Sequence, residues 1–190
     1  MFLLVYGGSA SGKSAYAEQR TVRLHQQSTA GQLIYLAAMK PYSQAAQQRI
    51  RRHRRLRAGK GFRTVERYTD LYGLCQDPAF ARAAAGSTIL LECMSNLTAN
   101  EIFEPEGAGA QAADAILKGI EALRALSANL TAVTLDVFGD GVHYDESVER
   151  YRRTLAFVNR EMAKQADEAV RVVYSIPVIL KGAGDGIWNP

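Results

Sequence analysis

Phe2-Leu3-Leu4-Val5-Tyr6-Gly7-Gly8-Ser9-Ala10-Ser11-Gly12-Lys13-Ser14 is the stretch that decides the fold. Its apolar start reads as a buried strand, and the residues from Gly7 to Ser14 fit Gly-x4-Gly-Lys-Ser, the phosphate-binding loop of nucleoside triphosphate enzymes. The physical logic is local. A strand ends, glycines let the chain turn with its N–H groups inward, and those groups surround an anion at a helix N-terminus. Gly7, Gly8, Ser9, Ala10, Ser11 and Gly12 would form the cradle, Lys13 would reach the β- and γ-phosphates, and the Ser14 hydroxyl would ligate Mg²⁺. The bland alternative is a glycine-rich turn that holds no ligand. A strand before the loop and the helix-compatible Ala15-Tyr16-Ala17-Glu18-Gln19-Arg20 after it argue against that.

Outward from this loop, strand-like runs alternate with helical patterns. That alternation predicts an α/β protein, a P-loop NTPase-like three-layer fold with a mostly parallel central sheet. Strands are expected at Phe2–Tyr6, Gln32–Ala37, Phe62–Val65, Thr88–Cys93, Leu130–Val137 and Ala169–Leu180, with Pro177 ending or kinking the last. Helices are expected from Lys13 to Gln26, from a Ser43 cap to Arg57, and from Asp70, with Ala79–Ala85 continuing it past Pro78. Two more are expected, from Gly107 to Ser127 and from Glu146 to Ala166. Residues 1–190 read as a single nucleotide-binding domain, with 182–190 a glycine-rich mobile tail.

The 190 residues suit one domain with a sizeable core. No apolar run is long enough to span a membrane, and the N-terminal run passes directly into the loop, unlike a signal peptide. Cys75 and Cys93 lack metal-ligand spacing and read as reduced thiols of a cytoplasmic protein. His25, His53 and His143 make no zinc pattern. The net charge of +4 is unevenly spread: Arg49 to Arg67 holds nine lysines and arginines against Glu66 alone, so the remainder is net negative. One concentrated cationic element suggests a local polyanion site.

Glu92 ends an apolar strand, where doubly wound sheets place ligand-facing groups, and an acid there can help hold Mg²⁺. The alternative is a strand-terminal acid paired with a lysine or arginine. In the basic helix, Arg49, His53 and Arg57 share one face, and Ala46, Ile50, His53 and Leu56 form an apolar stripe with His53 at its edge. Three readings stand side by side. The helix is a solvated basic face, or a nucleic-acid-binding helix, or the support of a histidine nucleophile whose surrounding arginines stabilise charge on an attacked phosphate. Aromatic residues are absent from Gln44 to Gly61, which weakens a role in stacking single strands.

Arg49-Ile50-Arg51-Arg52-His53, then Arg57 and Phe62-Arg63-Thr64-Val65-Glu66, join the phosphate loop in a combination that is specific. With Leu90-Leu91-Glu92-Cys93, Asn100, Val158-Asn159, Ala166-Asp167-Glu168, Ile176-Pro177 and Lys181, the chain resembles the bifunctional adenosylcobinamide kinase/adenosylcobinamide-phosphate guanylyltransferase family of cobalamin nucleotide-loop assembly. The resemblance implies that His53 becomes covalently guanylylated. It implies nucleotide contacts from Gly7 through Ser14, from Ala37, Ala38 and Met39, from Arg54, Arg55, Leu56 and Arg57, and from Glu66 and Glu92. It further implies ATP or GTP as phosphoryl donor, Mg²⁺ on Ser14 and Glu92, and adenosylcobinamide and its phosphate as acceptors. The oligomer it implies is built on trimers. The single cationic element over a net-negative remainder predicts no nucleic acid as partner. One departure stands out: Thr134-Leu135-Asp136-Val137-Phe138-Gly139-Asp140-Gly141 replaces the family's Ser-Asn-Glu-Val-Gly, so Leu135 removes an amide while Asp136 keeps an acid. An enzyme of one half-reaction, and a P-loop ATPase that binds nucleic acid through the arginine helix, are the rival expectations.

Overall fold

Runs that are apolar at every position bury both faces of a strand, and here they build the middle of one sheet. The computed structural model describes residues 1–28, 31–137, 142 and 144–182. The first half runs β1 (Phe2–Gly7), α1 (Lys13–Gln27), β2 (Leu33–Ala37), α2 (Gln44–Arg57), β3 (Arg63–Glu66), α3 (Leu71–Gln76) and α4 (Pro78–Ala84). The second runs β4 (Thr88–Glu92), α5 (Met94–Phe103), α6 (Ala112–Leu126), β5 (Asn129–Leu135), α7 (Glu146–Gln165), β6 (Glu168–Val173) and β7 (Ile176–Lys181). The strand order is β3-β2-β4-β5-β1-β6-β7, parallel except for the antiparallel β6–β7 pair.

The two faces of the sheet are covered unequally. Phe2, Leu4, Ile34, Leu36, Ile89 and Leu91 join the larger core with Leu71, Leu97, Ile116, Ile120, Leu155 and Val158 of α3, α5, α6 and α7. Leu3, Val5, Tyr35, Leu90, Val133 and Val170 face the other side, which α1 covers through Tyr16 and Ala17. The three expected layers are present. α2 belongs to neither layer: Arg57 is its one buried residue.

Several boundaries differ from the sequence expectation. The last strand is a hairpin, because Tyr174 and Ser175 both adopt left-handed backbone (φ 49° and 64°) and reverse the chain. A two-residue turn of this kind needs positive φ at both positions, which asparagine and glycine signal and tyrosine and serine do not. Pro177 therefore lies in an edge strand, where its missing N–H does no harm. The helix from Asp70 stops at Gln76. Asp77 caps the N–H groups of Ala79 and Phe80, and Pro78 starts a new helix in the position proline favours. The stretch from Gly107 opens with a short 3₁₀ turn, Gly109–Gln111, before α6 begins. The strand expected to reach Val137 ends at Leu135.

Helix α5 was invisible in the sequence. Its buried face carries Asn100 and Glu101 beside Met94, Leu97 and Ile102. Those polar groups satisfy loop backbone: Asn100 Nδ2 donates to the carbonyls of Ala38 and Tyr68, and Glu101 accepts from the N–H groups of Asp70 and Ala108. The tail from Ala183 onward, His143, and Phe138–Gly141 of the departing segment lie outside the described residues.

Candidate active site

β1 delivers the loop to the carboxyl end of the sheet, where Gly12 (φ 90°) turns the chain into α1. No side chain caps α1, so its first-turn N–H groups are available to an anion. The hairpin braces the loop from behind. Ser175 N–H donates to the Ser11 carbonyl at 2.8 Å, and a Cβ on Gly12 would lie 2.5 Å from Ser175 Oγ. Open space surrounds Gly8. Gly12→Ala is therefore expected to weaken nucleotide binding at least about tenfold, since left-handed backbone alone costs a residue with a Cβ about 1–2 kcal/mol. Gly8→Ala should change binding less than about threefold, because a Cβ there meets nothing and carries no such backbone cost. Titration with a fluorescent nucleotide analogue compares the two, and equal losses would contradict this geometry.

Lys13 is buried, and its Nζ donates to the Gly8 carbonyl at 2.9 Å. Burial pulls its pKa below the ordinary lysine value, while Cys93 and Glu92 push the other way. The Ser14 hydroxyl donates to Glu92 Oε1, and Tyr35 donates to Glu92 Oε2 at 2.9 Å. His53 Nδ1 approaches that same Oε2 at 3.4 Å. Burial would push the Glu92 carboxyl up, but His53, Ser14 and Tyr35 together hold it below the usual carboxylate value. Glu92 thus meets the loop, the neighbouring strand and α2 at one point.

α2 lines the site with residues from Arg49 to Arg57, His53 and Arg57 among them. The stripe differs from the expected one, because Leu56 is largely exposed and Arg57 turns inward in its place. The Arg57 guanidinium lies 3.3 Å from the centre of the Tyr35 ring, so an aromatic face stands in for the apolar partner. Arg54 reaches Glu66 at 3.1 Å, and the Tyr68 hydroxyl also donates to Glu66.

A cavity of about 420 Å³ lies over the carboxyl ends of β1, β2, β4 and β5. Ser9, Ala10, Ser11, Gly12, Lys13, Ser14, Ala37, Met39, His53, Arg54, Leu56, Arg57, Glu66 and Glu92 all line it. Four expected contacts do not. Gly7 and Gly8, at the start of the loop, are not among its lining residues, Arg55 is exposed on α2, and Ala38 is fully buried with its carbonyl accepting from Asn100. Tyr35, Asn96 and Ser175 line the cavity although no sequence pattern marks them. Asp136 points to Arg171, 3.4 Å away, while Leu135 faces the cavity.

Chemically, the site offers a cradle of amides, a lysine and arginines for a polyphosphate. Ser14 and Glu92 are adjacent oxygen donors, a set that suits Mg²⁺. His53 Nδ1 is shielded from solvent, while the side chain as a whole keeps 19 % exposure.

A family model described as cobinamide kinase / cobinamide phosphate guanyltransferase matches residues 3–180. The chain is 31 % identical to the bifunctional adenosylcobalamin biosynthesis protein CobU of Escherichia coli K12, over 95 % of this chain and all of that one. It is 32 % identical, with the same coverage, to the protein of that name from Salmonella typhimurium LT2. Among solved structures it resembles an ATPase domain (TM-score 0.53, 11 % identity), over 95 % of this chain and 76 % of that one. It also resembles the KaiC-like protein PH0186 of Pyrococcus horikoshii OT3 (TM-score 0.50, 11 % identity), over 90 % of this chain and 69 % of that one. Those two likenesses concern the fold. No helix among the described residues is long and apolar enough to cross a membrane.

Proposed function

The chain belongs to the cobinamide kinase / cobinamide phosphate guanyltransferase family, and we propose that it runs both reactions over this one pocket with His53 as the carrier of GMP. In the kinase step, a triphosphate held by Lys13 and the loop amides passes its γ-phosphoryl group to the aminopropanol hydroxyl of adenosylcobinamide. In the second step, His53 Nε2 attacks the α-phosphorus of GTP, the bond to the bridging oxygen breaks, and pyrophosphate leaves. The corrinoid phosphate then attacks the same phosphorus, the P–N bond breaks, and adenosylcobinamide-GDP forms. Ser14 and Glu92 are the residues that would hold Mg²⁺, which neutralises triphosphate charge when bound. A histidine suits this carrier role because it attacks phosphorus readily and leaves again readily.

The observation that carries the reading is the meeting of His53, Glu92 and the loop residue Ser14 around one carboxylate. Incubation with α-labelled GTP should yield an acid-labile, base-stable protein adduct. Absence of any adduct from active protein would overturn the histidine step. The resemblance supports an oligomer built on trimers, and the two cysteines without a disulfide framework support a cytoplasmic enzyme. The thinly buried α2 and the exposed apolar residues Ile176, Ile179 and Leu180 of β7 are surfaces that another copy could cover.

The cationic segment is proposed to serve nucleotide and corrinoid phosphate, not nucleic acid. Several of its charges are turned inward or paired: Arg57 is buried, Arg54 meets Glu66, Lys60 meets Glu18 and Arg67 meets Asp70. Binding to RNA or duplex DNA should be no tighter than a Kd of about 10⁻⁶ M at physiological salt, the non-specific range. Nanomolar binding in a fluorescence-anisotropy titration would favour the ATPase rival.

A further inference from the structure

Glu18 is a fully buried acid on α1, one helical turn beyond Ser14 and on the same face. Its Oε2 accepts from Lys60 Nζ at 2.7 Å, the lysine of the glycine turn that closes α2. Its Oε1 is shielded from solvent and has no hydrogen-bond partner among the described residues. His53 Nδ1 is shielded in the same way, and its 3.4 Å approach to Glu92 falls short of a formed hydrogen bond. One carboxylate oxygen of Glu18, one ring nitrogen of His53 and one oxygen of Glu92 all lie within 4.8 Å of one another. Glu18 Oε1 is a buried acceptor without a donor among the described residues, and the Glu18 carboxyl lies within 4.8 Å of a His53 ring nitrogen, an arrangement that is costly unless the two side chains meet.

Those three side chains could also surround a cation, but the local charge opposes it. Lys60 is bound to Glu18, Arg57 is close enough to bear on the Glu18 carboxyl, and Lys13 bears on Glu92. The free Glu18 oxygen is better matched to an N–H than to a metal ion.

Resting on the proposed histidine step, we infer that Glu18 is a positioning residue that takes the His53 Nδ1–H when Glu92 is engaged with Ser14 and the nucleotide's metal. Ser14, Tyr35 and His53 converge on the two Glu92 oxygens, so His53 shares that carboxylate with two other donors. An acceptor at Nδ1 fixes the tautomer whose Nε2 lone pair faces phosphorus. As the Nε2–P bond forms, the ring gains positive charge, and the Glu18 carboxylate stabilises it without needing to take the proton. Lys60 ties Glu18 to the end of α2, so the acid and the histidine helix keep register.

Glu18→Gln tests this, with Glu18→Asp as the conservative companion. At saturating GTP, single-turnover adduct formation should fall roughly ten- to a hundredfold in Glu18→Gln, at least about tenfold more than the kinase rate falls, with GTP affinity little changed. Glu18→Asp should recover part of the loss. Nitrogen-15 NMR of labelled histidine should show the Nδ1–H tautomer of His53 depleted in Glu18→Gln. Equal loss of both half-reactions, or adduct formation little changed from the parent protein, would overturn the inference while leaving the histidine carrier intact. If the parent protein forms no adduct, the carrier reading fails, and an unchanged tautomer in the same NMR experiment overturns this inference separately.

Discussion

Lys13→Ala is expected to disable the kinase and the guanylyl-transfer reactions together. Both need the triphosphate held by one loop, and Lys13 is the only side-chain cation within the Gly7–Ser14 segment. In the resting protein its Nζ is folded onto the Gly8 carbonyl, so the ammonium is already inside the cradle that a phosphate would enter. Interactions of this kind strengthen as charge develops in the transition state, and losing one costs about 3–4 kcal/mol, a factor of roughly 10² to 10³ in rate. Steady-state assays of each half-reaction measure it, with thermal unfolding as a check that the variant is folded. Rates near those of the parent protein in either assay would break the shared-loop account.

His53→Ala should remove the GMP adduct and GMP transfer below detection, and peptide mapping of the labelled parent protein should place the label on His53. Kinase chemistry needs no covalent intermediate and should retain a measurable fraction of its rate. Geometry separates His53 from the other candidate on a described element. His25 lies in the last turn of α1, at the far end from the loop, and does not line the cavity. A label on His25, His143 or a lysine would overturn the assignment, as would a His53→Ala protein that still transfers GMP.

The loop was legible because its chemistry is contiguous. Glycine, lysine and serine at fixed spacing after an apolar strand describe a local backbone shape, and β1, the loop and α1 form as that spacing predicts. The parallel sheet was legible for a similar reason, since runs such as Thr88-Ile89-Leu90-Leu91 cannot tolerate an exposed face. The rest depended on contacts made at a distance. Tyr35 was one residue of an expected strand, and only the fold sets its hydroxyl on Glu92 and its ring beneath Arg57. Glu18 carried no signal beyond fitting a helix, and only the fold brings Lys60 to it from forty-two residues along the chain. The β6–β7 turn escaped notice because Tyr174 and Ser175 hold a backbone shape that their side chains do not favour. Arg57 displaced Leu56 from the buried stripe because stacking on Tyr35 lets a guanidinium lie where an aliphatic residue was expected.

The position of β1 in the sheet has a consequence for how the protein is made. β1 and the loop leave the ribosome well before the strands that flank β1, which are β5 and β6 and begin at residues 129 and 168. The bond that braces the loop comes later still, from Ser175 to Ser11. Closing contacts over such separations is slow and entropically costly, so the nascent chain carries its most recognisable sequence in a form that cannot yet hold an anion. Competence to bind nucleotide arrives only once the C-terminal hairpin has been synthesised and docked. A chain released before residue 175 would keep the complete Gly7–Ser14 motif and is expected to bind nucleotide poorly, so nucleotide retention would report docking of the β6–β7 hairpin.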